Sequence, residues 1–199
     1  MSDTTGEVVF VLGNLIKVQF DKILSQGEIG YIQVGQSSLK AEVIEISGKE
    51  AKLQVFEDTR GIKYKQKVSF TKELLEIELG PGLLGQIFDG LQNPLEKVAN
   101  VSGLYLERGV YLEALDRVKK WSFTPKVKVG QKLTRGSVLG TVPESHFIHQ
   151  VFLPFSMYGE YVVESISDKG SFTVDSEIAK VKDKYGKIIS ISMVQYDHF

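Results

Sequence analysis

Few residues in this chain combine the right type with the right spacing for chemistry. His146 and His149 stand as His-x-x-His. On a helix, two such rings share a face and can hold a metal. Their neighbours Phe147, Ile148, Val151 and Phe152 instead favour a strand or loop, where residues three apart point to opposite faces. His198 lies far along the chain. Loop histidines are therefore expected, and no metal site. Glu57-Asp58 is a paired acid before Thr59-Arg60-Gly61. Adjacent strand residues diverge, so the pair reads as a turn in which Asp58 and Thr59 satisfy backbone groups and Gly61 supplies an unusual φ. A phosphate-binding loop needs Gly-x-x-x-x-Gly-Lys-Ser/Thr. Gly48-Lys49 is followed by Glu50 and Gly186-Lys187 by Ile188, so neither fits, and both are expected in hairpin turns. Neither a dinucleotide glycine motif nor a Gly-x-Ser-x-Gly elbow occurs. With no cysteine in the sequence, disulfides, thiolate nucleophiles and cysteine-ligated zinc are excluded. No catalytic, cofactor-binding or metal residue is assigned.

The elements that would carry these residues are mostly strands. The 199 residues have 42% hydrophobic and 25% charged side chains and net charge −1, a globular balance with no global electrostatic case for nucleic acid or an anionic membrane. Val8–Leu12 is apolar, but acids precede it and Asn14 and Lys17 interrupt it. It is too short to span a bilayer and reads as a strand. Leu39, Ala41 and Val43 alternate with polar residues, Ser47-Gly48-Lys49-Glu50 turns the chain, and Ala51, Leu53 and Val55 alternate again. Period-two patterning across a glycine turn marks a hairpin. Further strands are expected at 7–10, 16–20, 30–34 and 67–70, and such a set favours a small closed barrel.

Gly80-Pro81-Gly82 reads as a rigid turn, with a further turn possible at 83–88. Asn93-Pro94 opens a short helix with Leu95, Val98 and Ala99 on one face and Gly103 at its end. Strands resume from about Leu115 and close with 177–181 and 188–193 around Lys184-Tyr185-Gly186-Lys187. Arg117 to Arg135 holds seven cations and no acid, while residues 140–177 hold six acids and Lys169. A charge-polarised module follows, read first as solvated faces around a buried Trp121, next as a protein-docking surface and last as a nucleic-acid site. Its candidate docking surface is Arg117, Lys119, Lys120, Lys126 and Lys128. The aromatic interleaving also permits a nucleic-acid reading.

Val127-Lys-Val129-Gly130-Gln-Lys-Leu133-Thr-Arg-Gly136-Ser-Val138-Leu139 resembles biotinyl and lipoyl carrier domains. The segment Gly-Thr-Val-Pro-Glu-Ser-His-Phe that follows lacks the modifiable lysine, and Lys169 comes too late. The resemblance supports the fold and argues against a carrier role.

Longer segments carry a second resemblance. These are Glu57-Asp58-Thr59-Arg60-Gly61-Ile62, the run 79–95 from Leu-Gly-Pro-Gly to Asn-Pro-Leu, and 114–125 from Ala-Leu-Asp-Arg to Phe-Thr-Pro, followed by Leu139-Gly-Thr-Val-Pro-Glu144. Their order and spacing are similar to the N-terminal part of the catalytic A (alpha) subunit of V-type and A-type rotary ATPases. The resemblance implies a mainly β architecture. Residues 1–78 would be a six-stranded-type β-barrel, and 79–112 an incomplete start of a nucleotide-binding domain with a short α/β linker. Residues 113–192 would be an insertion (bulge) of barrel-sandwich-hybrid type, and 193–199 a truncated end. Tyr196-Asp197-His198-Phe199 departs from the Trp-Pro-Val continuation the family implies. The phosphate-binding loop and catalytic carboxylate would come later, so no cofactor is expected here and Mg-ATP or ADP belongs to the parent subunit. Implied partners are B subunits and other A subunits in a hexameric ring, and peripheral-stalk subunits. Nucleic acid and direct membrane insertion are not expected, and the place is cytoplasmic, peripheral to the membrane. The rival readings are a stand-alone biotinyl-like adaptor and a nucleic-acid-binding barrel. Leu83, Leu84, Ile87, Phe88 and Leu91 are expected to be exposed, to pair with another copy, or to be disordered.

Overall fold

A computed structural model describes residues 4–103 and 108–198; Phe199 lies outside them. The chain divides into two compact units. The first comprises Met1–Glu76, Glu96–Leu112 and His198–Phe199, and the second Ile77–Leu95 and Glu113–Asp197. Residues 79–112 are thus shared between the two units.

In the first unit, strands β1 (Thr5–Leu12), β2 (Leu15–Phe20), β3 (Glu28–Val34), β4 (Ser37–Ser47), β5 (Glu50–Val55) and β6 (Lys67–Leu74) form a closed antiparallel barrel in the order β1-β2-β5-β4-β3-β6. Alternation explains it. Ile16 and Val18 on β2, Leu39, Ala41 and Val43 on β4, and Ala51, Leu53 and Val55 on β5 are buried in one core with Val68 and Phe70, while their strand neighbours face outward. Closure removes unpaired edges. The expected strands and the Ser47–Glu50 hairpin are all present. Bulges between Val8 and Phe10 and between Val43 and Glu45 bend two strands of the small barrel.

The second unit is a sandwich. One sheet has the order β11-β10-β8-β13, from β8 (Trp121–Pro125), β10 (Val138–Glu144), β11 (Phe147–Phe152) and β13 (Gly170–Phe172). The other has the order β15-β14-β12-β9, from β9 (Lys132–Leu133), β12 (Tyr161–Ile166), β14 (Ala179–Asp183) and β15 (Ile188–Ile191). Trp121, Phe123, Val142, Val151 and Met193 share one core, and Leu133, Leu139, Leu153, Val163 and Val181 another. Gly140 is required by close approach. A Cβ there would lie 2.2 Å from the Phe123 ring and 2.8 Å from Thr124 O.

Three expectations change. β7 (Glu76–Leu79) and β16 (Gln195–His198) form a two-stranded sheet, so residues 195–198 of the expected truncated end are a strand. Four-residue strands far apart in sequence have too little pattern to be seen singly. The helix α1 (Leu95–Ser102) forms where expected and ends on Gly103, whose N–H bonds Ala99 O at φ 72°. Only Val98 of its proposed face is buried, whereas Leu95 and Ala99 are exposed: two turns present only one position deeply. Residues 83–88 contain the expected turn; Leu84 and Ile87 are exposed as expected, but Leu83, Phe88 and Leu91 are half-buried.

Candidate functional site

Strand β8 and its flanks carry the predicted basic surface. Alternation buries Trp121 and Phe123 and leaves the charged flanks outside. Lys119, Lys120, Lys126 and Lys128 are exposed. Lys119 Nζ lies 4.1 Å from the centroid of the Trp121 ring, so the tryptophan's face holds a cation while its body fills the core. Lys120, Lys126 and Lys128 have no carboxylate within ion-pair distance among the described residues.

Arg117 is different. Its side chain is 20% exposed and meets Glu78, Asp175 at 2.7 Å and Glu113 at 3.5 Å. Burial works against its charge, but Glu78 and Asp175 outweigh this and hold the guanidinium above its usual range. Glu78 is positioned in turn by paired backbone bonds with the Gln92 amide, each 2.7 Å. Arg117 therefore ties parts of its own unit together. The expected charge polarity is also partly cancelled, because Lys132 meets Glu160 at 2.8 Å.

Glu144 was not singled out by sequence, yet it is a centre of the second unit. Its buried carboxylate accepts the N–H groups of Gly82 at 2.6 Å and Leu84 at 3.2 Å through Oε1. His149 Nδ1 lies 3.0 Å from Oε2. The tight Ser145-His146 turn brings Glu144 and His149 to one side of the hairpin, diagonal across two strands. His146 stays exposed in that turn. His149 instead stands on β11, and among the described residues no group of three or more acids and histidines gathers as a metal site. An open apolar cleft of about 390 Å³ adjoins His149, lined by Leu79, Val151, Phe152, Phe155 and Met193.

In the first unit, Asp58 accepts the Arg60 N–H at 2.9 Å, Thr59 Oγ1 donates to Gly13 O, and Gly61 has φ 90°, the expected turn. Glu57 does more. Its Oε1 accepts the Gly109 N–H at 2.5 Å, and its Oε2 accepts the Tyr111 hydroxyl at 2.6 Å. That hydroxyl also accepts the Lys40 N–H at 2.7 Å. Burial first, then Glu57, pushes the Tyr111 phenol far above its ordinary value, and burial lowers the Lys40 ammonium. The arrangement straps residues 108–112 to the barrel. Outside the barrel, Phe10, Leu12 and Leu15 are exposed around the β1–β2 turn, where Leu12 pairs with Leu15.

These features can bind and hold; none places a nucleophile against a base. Comparison with known proteins agrees with the fold in both units. Residues 8–72 match the beta-barrel domain of the ATP synthase alpha/beta family, and residues 112–196 match the ATP synthase alpha/beta subunit barrel-sandwich domain. The chain is 52% identical over 193 residues, 97% of its length, to the V-type ATP synthase alpha chain of Treponema denticola, covering 33% of that protein. It is 50% identical to the V-type ATP synthase alpha chain of Protochlamydia amoebophila over 96% of its own length and 32% of that protein's. To the V-type ATP synthase alpha chain 1 of Treponema pallidum it is 48% identical over 97% and 33%. The chain spans about a third of the length of these relatives.

Proposed function

The chain belongs to the ATP synthase alpha/beta family, and from that premise we propose that it is the N-terminal assembly region of a V-type alpha chain. The parent subunit would couple ATP synthesis or hydrolysis to proton or sodium transport. Mg-ATP or ADP would be bound by parts of that subunit not represented in this region. The complex would be cytoplasmic and peripheral to the membrane. For the region itself, among the described residues no helix is long and apolar enough to cross one.

Two surfaces divide the work. The barrel joins neighbouring A and B subunits in a hexameric ring, and the exposed Phe10, Leu12 and Leu15 supply the apolar area such a contact needs. The sandwich docks peripheral-stalk subunits. One observation carries this reading: Lys120, Lys126 and Lys128 are exposed cations without acidic partners, beside Lys119 on Trp121. Arg117 leaves the docking set because its charge is engaged within the unit. An isolated adaptor or a nucleic-acid barrel gains no support from relatives that are V-type alpha chains.

Reversing Lys119, Lys120 and Lys126 to Glu weakens binding to purified peripheral-stalk subunits and leaves the fold intact. Unchanged affinity in that assay rejects the docking role. Calorimetry with Mg-ATP tests the division of labour: tight binding by this chain would place the nucleotide site here.

A further inference from the structure

The hairpin between β14 and β15 carries a second, separate cationic surface. Lys182, Lys184 and Lys187 are exposed, and none has a carboxylate within ion-pair distance among the described residues. At the apex Tyr185 is 82% exposed, and Ile188 beside it is 51% exposed. The tip is rigidly built. Asp183 Oδ1 accepts the N–H groups of Tyr185 and Lys187, each at 2.8 Å, Asp183 N–H donates to Lys187 O at 3.0 Å, and Gly186 takes the positive φ of 86° that closes the turn. The one acid in the turn is thus spent on backbone. Lys182 pairs across the hairpin with Ile188, and its Cε approaches Gly186, 3.8 Å from where a Cβ would stand. Lys184 Nζ lies 4.8 Å from the Tyr185 ring centroid. The tip therefore carries three exposed lysines, one of them beside the exposed aromatic ring, and one exposed aliphatic side chain.

We propose that this hairpin tip is a docking point for an acidic segment of a protein partner, with the lysines meeting carboxylates and Tyr185 and Ile188 covering an apolar side chain between them. Lysines alone would make an ordinary solvated tip. An exposed tyrosine and isoleucine at the apex cost solubility without serving the core, and tyrosine is the residue type enriched where surfaces meet. Unopposed positive charge selects the sign of the partner and speeds its approach. A rigid turn favours a shaped protein segment over lipid headgroups, whose polybasic recognition uses about four to eight cations. The proposal does not rest on stalk docking by the basic strip on β8.

The test is an amide-shift titration of the 199-residue chain with a blocked glutamate-rich peptide carrying one leucine, beside vesicles of phosphatidylserine. The expected result is saturable binding, weakened by salt, with shifts centred on residues 182–188. Changing Lys182, Lys184 and Lys187 together to Gln weakens it about tenfold. Tyr185→Ala weakens it with the charges intact, and a Lys120→Gln, Lys126→Gln, Lys128→Gln chain binds as before. Shifts centred on β8, shifts spread over all lysine-bearing surfaces, no saturable binding, or tighter binding to the vesicles than to the peptide would each overturn the proposal.

Discussion

The strap in the first unit makes a quantitative prediction. Tyr111→Phe removes one oxygen and leaves the ring against Tyr31 and Lys40. Three contacts go with it: the 2.6 Å bond to the Glu57 carboxylate, the 2.7 Å bond from the Lys40 N–H and a longer 3.2 Å approach to Ser38 O. A bond to a charged acceptor contributes about 1.5–3 kcal/mol. The Lys40 N–H keeps only a long 3.4 Å approach to Glu57. The barrel should therefore lose about 2–3 kcal/mol. The chain has a single tryptophan, and it lies in the second unit, so fluorescence follows the sandwich while amide exchange of Lys40 and of the β4 and β5 core follows the barrel. Exchange should accelerate in the barrel with the fluorescence transition unmoved. The substitution should also change the alkaline limb. The folded state keeps Tyr111 protonated above the value of about 10 expected for an unfolded tyrosine. Its contribution is fully present below pH 10 and is lost as pH rises beyond it. Lys40, whose ammonium is disfavoured by burial, acts oppositely in the alkaline range. Subtracting Tyr111→Phe from the parent isolates the tyrosine. Barrel stability within about 0.5 kcal/mol of the parent, with the same alkaline slope, would refute the reasoning.

Other substitutions test the second unit. Gly140→Ala forces a methyl into Phe123 and Thr124 O and should cost about 1–3 kcal/mol by overpacking, seen as an earlier Trp121 fluorescence transition. Glu144→Ala should lower sandwich stability by about 1–3 kcal/mol, because two backbone N–H groups lose their acceptor; exchange at Gly82 and Leu84 should accelerate first. Arg117→Met leaves Glu78, Glu113 and Asp175 facing one another without the shared cation. It should destabilise the sandwich, and more so at low salt, whereas Lys120→Met should leave the fluorescence transition in place.

The barrel was legible because its information is local and repeated. Each strand carries its own alternation, as in Leu39, Ala41 and Val43 against Ala51, Leu53 and Val55, and each hairpin its own glycine turn. The carrier-like run 127–139 was legible for the same reason, and it lies within the sandwich. β7 and β16 escaped because each is four residues long and its partner lies more than a hundred residues away. Glu57 showed its turn but not Tyr111, whose hydroxyl arrives from 54 positions along the chain. Glu144 showed nothing, since a carboxylate that caps backbone N–H groups 60 and 62 residues earlier leaves no periodicity to read.

The basic run contains cations in different electrostatic settings. Arg117 and Lys120 stand three positions apart and look equivalent in sequence. The fold gives Arg117 three carboxylates and gives Lys120 solvent. A cation already balanced must first break its own pairs to serve a partner, and the loss cancels most of what the new contact offers. An unbalanced, exposed cation has no such pair to break. The distinguishing property is therefore the absence of an internal acid, which depends on residues as distant as Glu78 and Asp175. By that criterion the proposed docking surface of the second unit would contract at Arg117 and extend to the Lys182–Ile188 tip, where Asp183 is already committed to its own turn.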